Sequence, residues 1–190
     1  MGLIRKEKGS NSMRVIAGKA RRLPLKTIEG LDTRPTTDRI KETLFNILQN
    51  DLYDIRFLDI FSGSGGIGIE ALSRGAKEAV FVDARREAIA VVRENLEKTR
   101  LLSQARLVCA DYLAFLSGCG ETFDLIFLDQ PYAEIFLENA LNRISEIDIL
   151  RERGIIICER PIEKQLSAQI PGLYQVKNYR YGKTAITLYR

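Results

Sequence analysis

The chain has 190 residues, 45% of them hydrophobic and 28% charged, with a net charge of +4 and no histidine. That composition suits a globular domain whose core needs no metal or disulfide staple, and it excludes any His-based metal site, triad or general base. The three cysteines, Cys109, Cys119 and Cys158, are odd in number and lack C-x-x-C spacing, which predicts reduced thiols in a cytoplasmic setting with no metal, and no apolar run approaches membrane-helix length.

Residues 1–12, "MGLIRKEKGSNS", carry charge but no apolar segment, and read as a disordered lead-in that is no signal peptide. "MRVIAG" (13–18) and "RLPLKTI" (22–28) read as the two strands of a small hairpin, and "LDTRPTT" (31–37) as a loop. Thr37 or Asp38 can cap the helix "DRIKETLFNILQN", whose Ile40, Leu44, Ile47 and Leu48 share one face. From residue 51 strands and helices alternate. Strands are expected at 55–61, 78–83, 105–110, 123–129 and 153–159, and helices at 65–76, 86–101, 112–117 and 134–150. Two more strands should surround the turn Tyr181-Gly182-Lys183 within 174–190. The domain plan is therefore a hairpin and helix over 13–50 and a main domain over 51–190.

The strands between 55 and 159 are apolar almost throughout, as strands of a parallel sheet covered on both faces are. Strand–helix repetition implies right-handed crossovers. The expected fold class is α/β, a doubly wound, mostly parallel, seven-stranded Rossmann-like sheet. Ligands of such sheets lie beyond the carboxyl ends of the strands. Asp59, Asp83 and Asp129 stand at three of those ends, and Asp111 follows a fourth.

"DIFSGSGGIG" matches G-x-G-x-x-G at Gly63, Gly65 and Gly68, after a strand and before a helix. Such glycines let the backbone turn sharply beside a ligand, and the helix amino terminus favours a negative group. Asp83 lies twenty residues beyond Gly63, where a carboxylate can accept from ribose hydroxyls. Asp111 and Tyr112 follow the third strand, where an adenine edge can be held. A nicotinamide dehydrogenase would carry the same loop, but it would leave "LIFLDQPY" (125–132) without employment. A plain βα turn with an exposed acid is the bland alternative.

"LDIFSGSGGIGIEALSRGA" together with "FDLIFLDQPY" resembles the class I S-adenosylmethionine-dependent methyltransferases. More narrowly, "MRVIAGKARRLPL", "RPTTDRIKETLFNIL" and "YGKTAITLYR" are similar to the RsmD-type methylases of small-subunit (16S) ribosomal RNA, which methylate the exocyclic N2 of one guanosine. The resemblance runs from about Met13 to Arg190. It implies S-adenosyl-L-methionine as cofactor, with Asp59, Phe61, Gly63, Ser64 and Gly65 at its methionine end. It further implies Asp83 on the ribose, Asp111 and Tyr112 near the adenine, and Arg34, Thr36 and Thr37 closing over the cofactor or nucleotide. The implied partner is ribosomal RNA or an assembly intermediate of the small subunit, bound by a monomer.

The tetrad Asp129-Gln130-Pro131-Tyr132 then reads as chemistry. An aromatic amine is a poor nucleophile, because its lone pair is delocalised into the ring. Asp129 and the main-chain carbonyl of Gln130 can accept its two hydrogens, Pro131 stiffens the turn, and Tyr132 offers a face for an extruded base. The family pattern is D-P-P-Y, and this chain has Gln130 at the second place. Among the basic residues near the start, Arg14, Lys19, Arg21, Arg22, Arg34 and Arg39 are candidates for gripping phosphates, against the plainer reading of a solvated face. Tyr179 and Tyr181 are expected to support the last two strands. Other readings remain open at this level: an adenine-N6 or glutamine-amide methyltransferase with a similar tetrad, and a non-catalytic RNA-binding protein that keeps the fold.

Overall fold

The computed structural model describes residues 13–28, 38–48, 52–129 and 134–190. The expected lead-in (1–12) and the loop 31–37 lie outside the described residues. Five strands run parallel: β1 (Arg56–Ile60), β2 (Glu78–Asp83), β3 (Ala105–Cys109), β4 (Phe123–Asp129) and β5 (Leu150–Pro161). Three more, β6 (Gln169–Ile170), β7 (Leu173–Tyr181) and β8 (Thr184–Tyr189), extend the sheet in antiparallel fashion. The order across the sheet is β3-β2-β1-β4-β5-β8-β7-β6.

The parallel strands are apolar on both faces because both faces are covered. Phe57, Phe81 and Phe127 enter one core with α1 (Asp38–Ile47), α2 (Gly66–Ser73), α3 (Arg86–Thr99) and the segment 13–28. Leu58, Val80 and Ile126 enter the other, with α4 (Tyr112–Ser117) and α5 (Glu134–Glu146). In α3 the buried positions Ala88, Val91, Val92, Asn95, Leu96 and Thr99 form one stripe, the helical spacing of a surface helix. That stripe contains one amide, Asn95.

Three details differ from the sequence reading. The sheet has an eighth strand, because Gln169 and Ile170 pair with Tyr174 and Leu173; two residues are too few to show a periodicity. The helix expected over 134–150 stops at Glu146, where Asp148 turns at φ 51, and β5 starts early at Leu150. The hairpin expected over 13–28 reduces to a single bridge, Arg14 with Pro24. Its chains do run side by side, with Val15 N–H donating to Leu23 O and Leu25 N–H to Met13 O. Backbone groups of Ile16, Ala17, Ala20 and Lys26 instead bond to side chains of α2 and α3, and Pro24 has no N–H to offer a ladder.

The amino ends of the strands are closed by paired charges. Arg56 pairs with Glu78 and Glu121, Arg106 with Glu121, and Arg151 with Asp124. At the carboxyl end of β2, Asp83 pairs with Arg85. Among the described residues no helix is long and apolar enough to cross a membrane.

Candidate active site

Strand order reverses between β1 and β4, and the crevice beyond such a switch point is where open α/β sheets take their ligands. Four carboxylates converge on its edge. Asp59 is in register with Phe81 of β2 and Phe127 of β4, and Asp83 and Asp129 come two residues later in those strands. Asp129 is in turn level with Glu159 of β5. Because side chains alternate with period two, all four project from the same face.

Asp59 is 2% exposed, and its Oδ2 accepts from Gly68 N–H at 3.0 Å. Burial pushes its pKa up to about 8, opposed by that N–H and reinforced by the charges of Asp129 and Asp83. Asp83 is also buried. One oxygen accepts from Gly63 N–H at 3.0 Å, the other from Arg85 N–H at 3.0 Å and Arg85 Nε at 3.1 Å. The acid that closes β2 therefore pins the glycine loop twenty residues earlier.

The loop turns through positive φ at Phe61 (67°), Gly63 (54°) and Gly65 (78°). For Phe61 that conformation is strained, and its ring rests on Tyr112 at 5.0 Å. At Gly63 an added Cβ would meet, among the described residues, nothing nearer than Phe61 O at 4.0 Å. At Gly68 the reason for glycine is different: a Cβ would stand 2.3 Å from the Phe81 ring. Just before Gly63, Ser62 is 8% exposed, and its Oγ has no hydrogen-bond partner among the described residues.

Asp111 and Tyr112 do come to this edge, with part of their capacity already used. Asp111 Oδ1 caps α4, accepting from Leu113 and Ala114 N–H. Tyr112 is buried between Phe61 and Phe136, whose ring meets it edge-on at 6.0 Å. Burial raises its phenol pKa against a hydrogen bond with Asn139. Asp129 closes β4 and is half-buried. Gln130, Pro131 and Tyr132 lie outside the described residues, as do Arg34, Thr36, Thr37 and the side chain of Arg39.

Arg14, Lys19, Arg21 and Arg22 are all exposed on the segment 13–28. Met13 lies against Gly66 at the start of α2, whereas Gly18 and Lys19 lie against Ser73 at its end. Lys19, Arg21 and Arg22 thus belong to the far turn, roughly 10 Å from the glycine loop along the helix rise. Tyr179 and Tyr181 stack at 6.3 Å and pack on the first core, supporting β7 and β8 as expected.

The sequence reading passed over Glu159 and Ser62. Glu159 ends the apolar run "GIIICE" just as Asp59, Asp83 and Asp129 end theirs, so the same rule would have found it. Ser62 had no signal beyond its place inside the loop. Among the described residues no group of three or more His, Cys, Asp or Glu could hold a metal ion.

The order 3-2-1-4-5 with an antiparallel hairpin beyond β5, and a glycine turn leading out of β1, define the class I methyltransferase fold. Within that class the chain belongs to the family described as "Conserved hypothetical protein 95", which matches residues 13–190. "Ribosomal RNA small subunit methyltransferase D" of Escherichia coli (strain K12) is 34% identical over 185 residues, covering 96% of this chain and 91% of that one. The protein of the same name from Haemophilus influenzae is 36% identical over 171 residues, covering 87% and 88%. The solved structure of a hypothetical protein from a Thermus species superimposes with a TM-score of 0.79 at 32% identity, covering 92% of this chain and 97% of that one.

Proposed function

We propose that the chain transfers a methyl group from S-adenosyl-L-methionine to the exocyclic N2 of a guanosine in small-subunit (16S) ribosomal RNA, acting as a cytoplasmic monomer on the RNA or on an assembly intermediate of the subunit. One observation carries the reading: Asp129 closes β4 at the switch point, beside the glycine loop, in a chain of this family.

The residues present fit the cofactor. Among the described residues nothing stands nearer than 4.0 Å to a Cβ added at Gly63, the buried Ser62 hydroxyl has no partner, and Asp83 holds the loop through Gly63 N–H. Asp59, Phe61, Gly63, Ser64 and Gly65 would hold the methionine end, Asp83 the ribose, Asp111 and Tyr112 the adenine, with Thr36 and Thr37 closing over it. When bound, the sulfonium supplies an electrophilic methyl group. Everything else falls to placement and charge control by the chain. Asp129 and the Gln130 carbonyl accept from the amine hydrogens and turn the nitrogen lone pair toward the methyl carbon, while Tyr132 holds the extruded base. Methyl transfer would leave the amine with one proton to lose, and Asp129 would accept it. Arg14, Lys19, Arg21, Arg22, Arg34 and Arg39 hold the RNA backbone.

The test is mass mapping of modified nucleosides in ribosomal RNA from cells with and without the protein, repeated with purified protein on free RNA and on assembled subunits. N2-methylguanosine that depends on the protein is the expected product. Protein-dependent N6-methyladenosine, or no protein-dependent methylation of the RNA at all, overturns the reading.

A further inference from the structure

Asn95 lies within α3, 1% exposed, with its amide oxygen and both amide hydrogens bonded. Its Oδ1 accepts from Lys26 N–H at 2.8 Å, and its Nδ2 donates to Lys26 O at 3.0 Å and to Ser64 O at 2.9 Å. One amide therefore joins three elements: the helix, the backbone of the basic segment 13–28, and the glycine loop. Val92, one turn earlier, meets the same loop, for a Cβ on Gly65 would stand 3.1 Å from its methyl carbons.

The segment is held again at its other end, and there the loop is not involved. Glu70 accepts from Ile16 N–H (2.7 Å) and Ala17 N–H (3.0 Å). Ser73 Oγ accepts from Ala20 N–H (2.9 Å) and donates to Ala17 O (2.6 Å). Thus α2 fastens the segment to the body of the domain, and Asn95 alone among these side chains fastens it to the loop.

We propose that Asn95 is a positioning residue that couples the two surfaces: a ligand on the glycine loop tightens the basic segment, and a polyanion on the segment tightens the loop. The coupling rests on the cofactor reading above. Its physical basis is the shared amide. Freeing Lys26 from Asn95 releases the clamp on Ser64 O, so any ligand that needs the loop in place disfavours opening of the segment. By linkage the effect is reciprocal.

Amide hydrogen exchange on the full-length protein reads this at one site, the Lys26 N–H, with S-adenosylhomocysteine as probe. If opening abolishes binding, protection rises by the factor 1 + [L]/Kd, up to about 100-fold at a ligand concentration 100 times Kd. At least about fivefold is expected. Asn95→Asp keeps the acceptor for Lys26 N–H but places an oxygen against both Ser64 O and Lys26 O, and should reduce the ligand response to near onefold. Asn95→Ala should do the same and serves if the buried carboxylate prevents folding. Ser73→Ala cuts the far clasp only: exchange at Ala20 should quicken while the ligand response at Lys26 persists. The same severing should appear in RNA affinity, which S-adenosylhomocysteine should raise in the parent and leave unchanged in Asn95→Asp. Binding of S-adenosylhomocysteine to the parent with no change at Lys26 overturns the coupling alone. A response that survives both Asn95 substitutions does so too. Failure of S-adenosylhomocysteine to bind overturns the cofactor reading and the coupling with it.

Discussion

The Asp59 carboxyl is buried with one backbone N–H to satisfy it, and two further acids, Asp83 and Asp129, close enough to repel its charge. Its pKa stands near 8 in the fold against an ordinary 3.8. Between roughly pH 4 and 8 the folded chain therefore holds a proton that the unfolded chain has released, and stability falls as pH rises through that window. Asp59→Asn can keep an acceptor for Gly68 N–H and removes the titration. Thermal melts of ligand-free protein should show variant and parent close together at pH 4 and the variant ahead by on the order of 5 kcal/mol by pH 8. A difference that does not change with pH would contradict this account. Asp129 is a different case, since its task is the acceptor amine. Asp129→Ala should lower turnover by about 10²–10³ and leave S-adenosylhomocysteine affinity, measured by calorimetry, nearly unchanged. Gln130→Pro restores the family tetrad, and because only the backbone carbonyl at that position is asked to act, activity should hold or rise. Abolished activity in a folded variant that still binds cofactor would assign the Gln130 side chain a role this mechanism lacks.

At the scale of elements, α2 is the hub. Its start carries the loop, and its buried Glu70 anchors the amino-terminal segment and α1 together. Glu70 takes the Ile16 and Ala17 N–H groups and pairs with Arg74, with Lys41 Nζ 3.9 Å away; Lys41 in turn donates to Arg14 O at 2.6 Å. Glu70 and Lys41 are fully buried. Removing one member of such a pair leaves the other charge stranded, so Glu70→Ala should cost about 3–5 kcal/mol in chemical denaturation. A loss below about 1 kcal/mol would mean that the segment is not anchored through Glu70. The first turn of α2 also touches the sheet closely. Gly68→Ala would press a methyl into the Phe81 ring and displace the donor to Asp59, and overpacking of this kind costs about 1–3 kcal/mol.

For the molecule as a whole, charge is divided by position. Paired charges close the amino ends of the strands, acids gather at the carboxyl ends, and Arg14, Lys19, Arg21 and Arg22 lie exposed on the segment over α2. If that segment grips phosphate, RNA affinity falls steeply with salt. Replacing both Arg21 and Arg22 with Ala should lower the log–log slope by about 1.4–1.8, with cofactor affinity unchanged. Since these two stand at the far turn of the segment, a reduced slope would extend the RNA footprint well beyond the mouth of the site. An unchanged slope would return them to a solvated face.

Strands β1 to β5 and the loop out of β1 can be read from the chain alone, because burial on both faces leaves unbroken apolar runs and the turn demands glycine at fixed places. The acids that end β1, β2 and β4 are legible for the same reason: a charge that closes an apolar run needs an explanation. Gln169 and Ile170, too short for any period, are strand only because Leu173 and Tyr174 pair with them. The segment 13–28 looks like a hairpin in sequence, since its alternation is real. What replaces its ladder is a set of side chains 53 to 69 residues away, Glu70, Ser73 and Asn95. No window of sequence contains such partners. Asn95 itself reads as one polar residue in a helical stripe, and it becomes a junction because packing of α3 on the loop brings three backbone groups, Lys26 N–H, Lys26 O and Ser64 O, within reach of its amide.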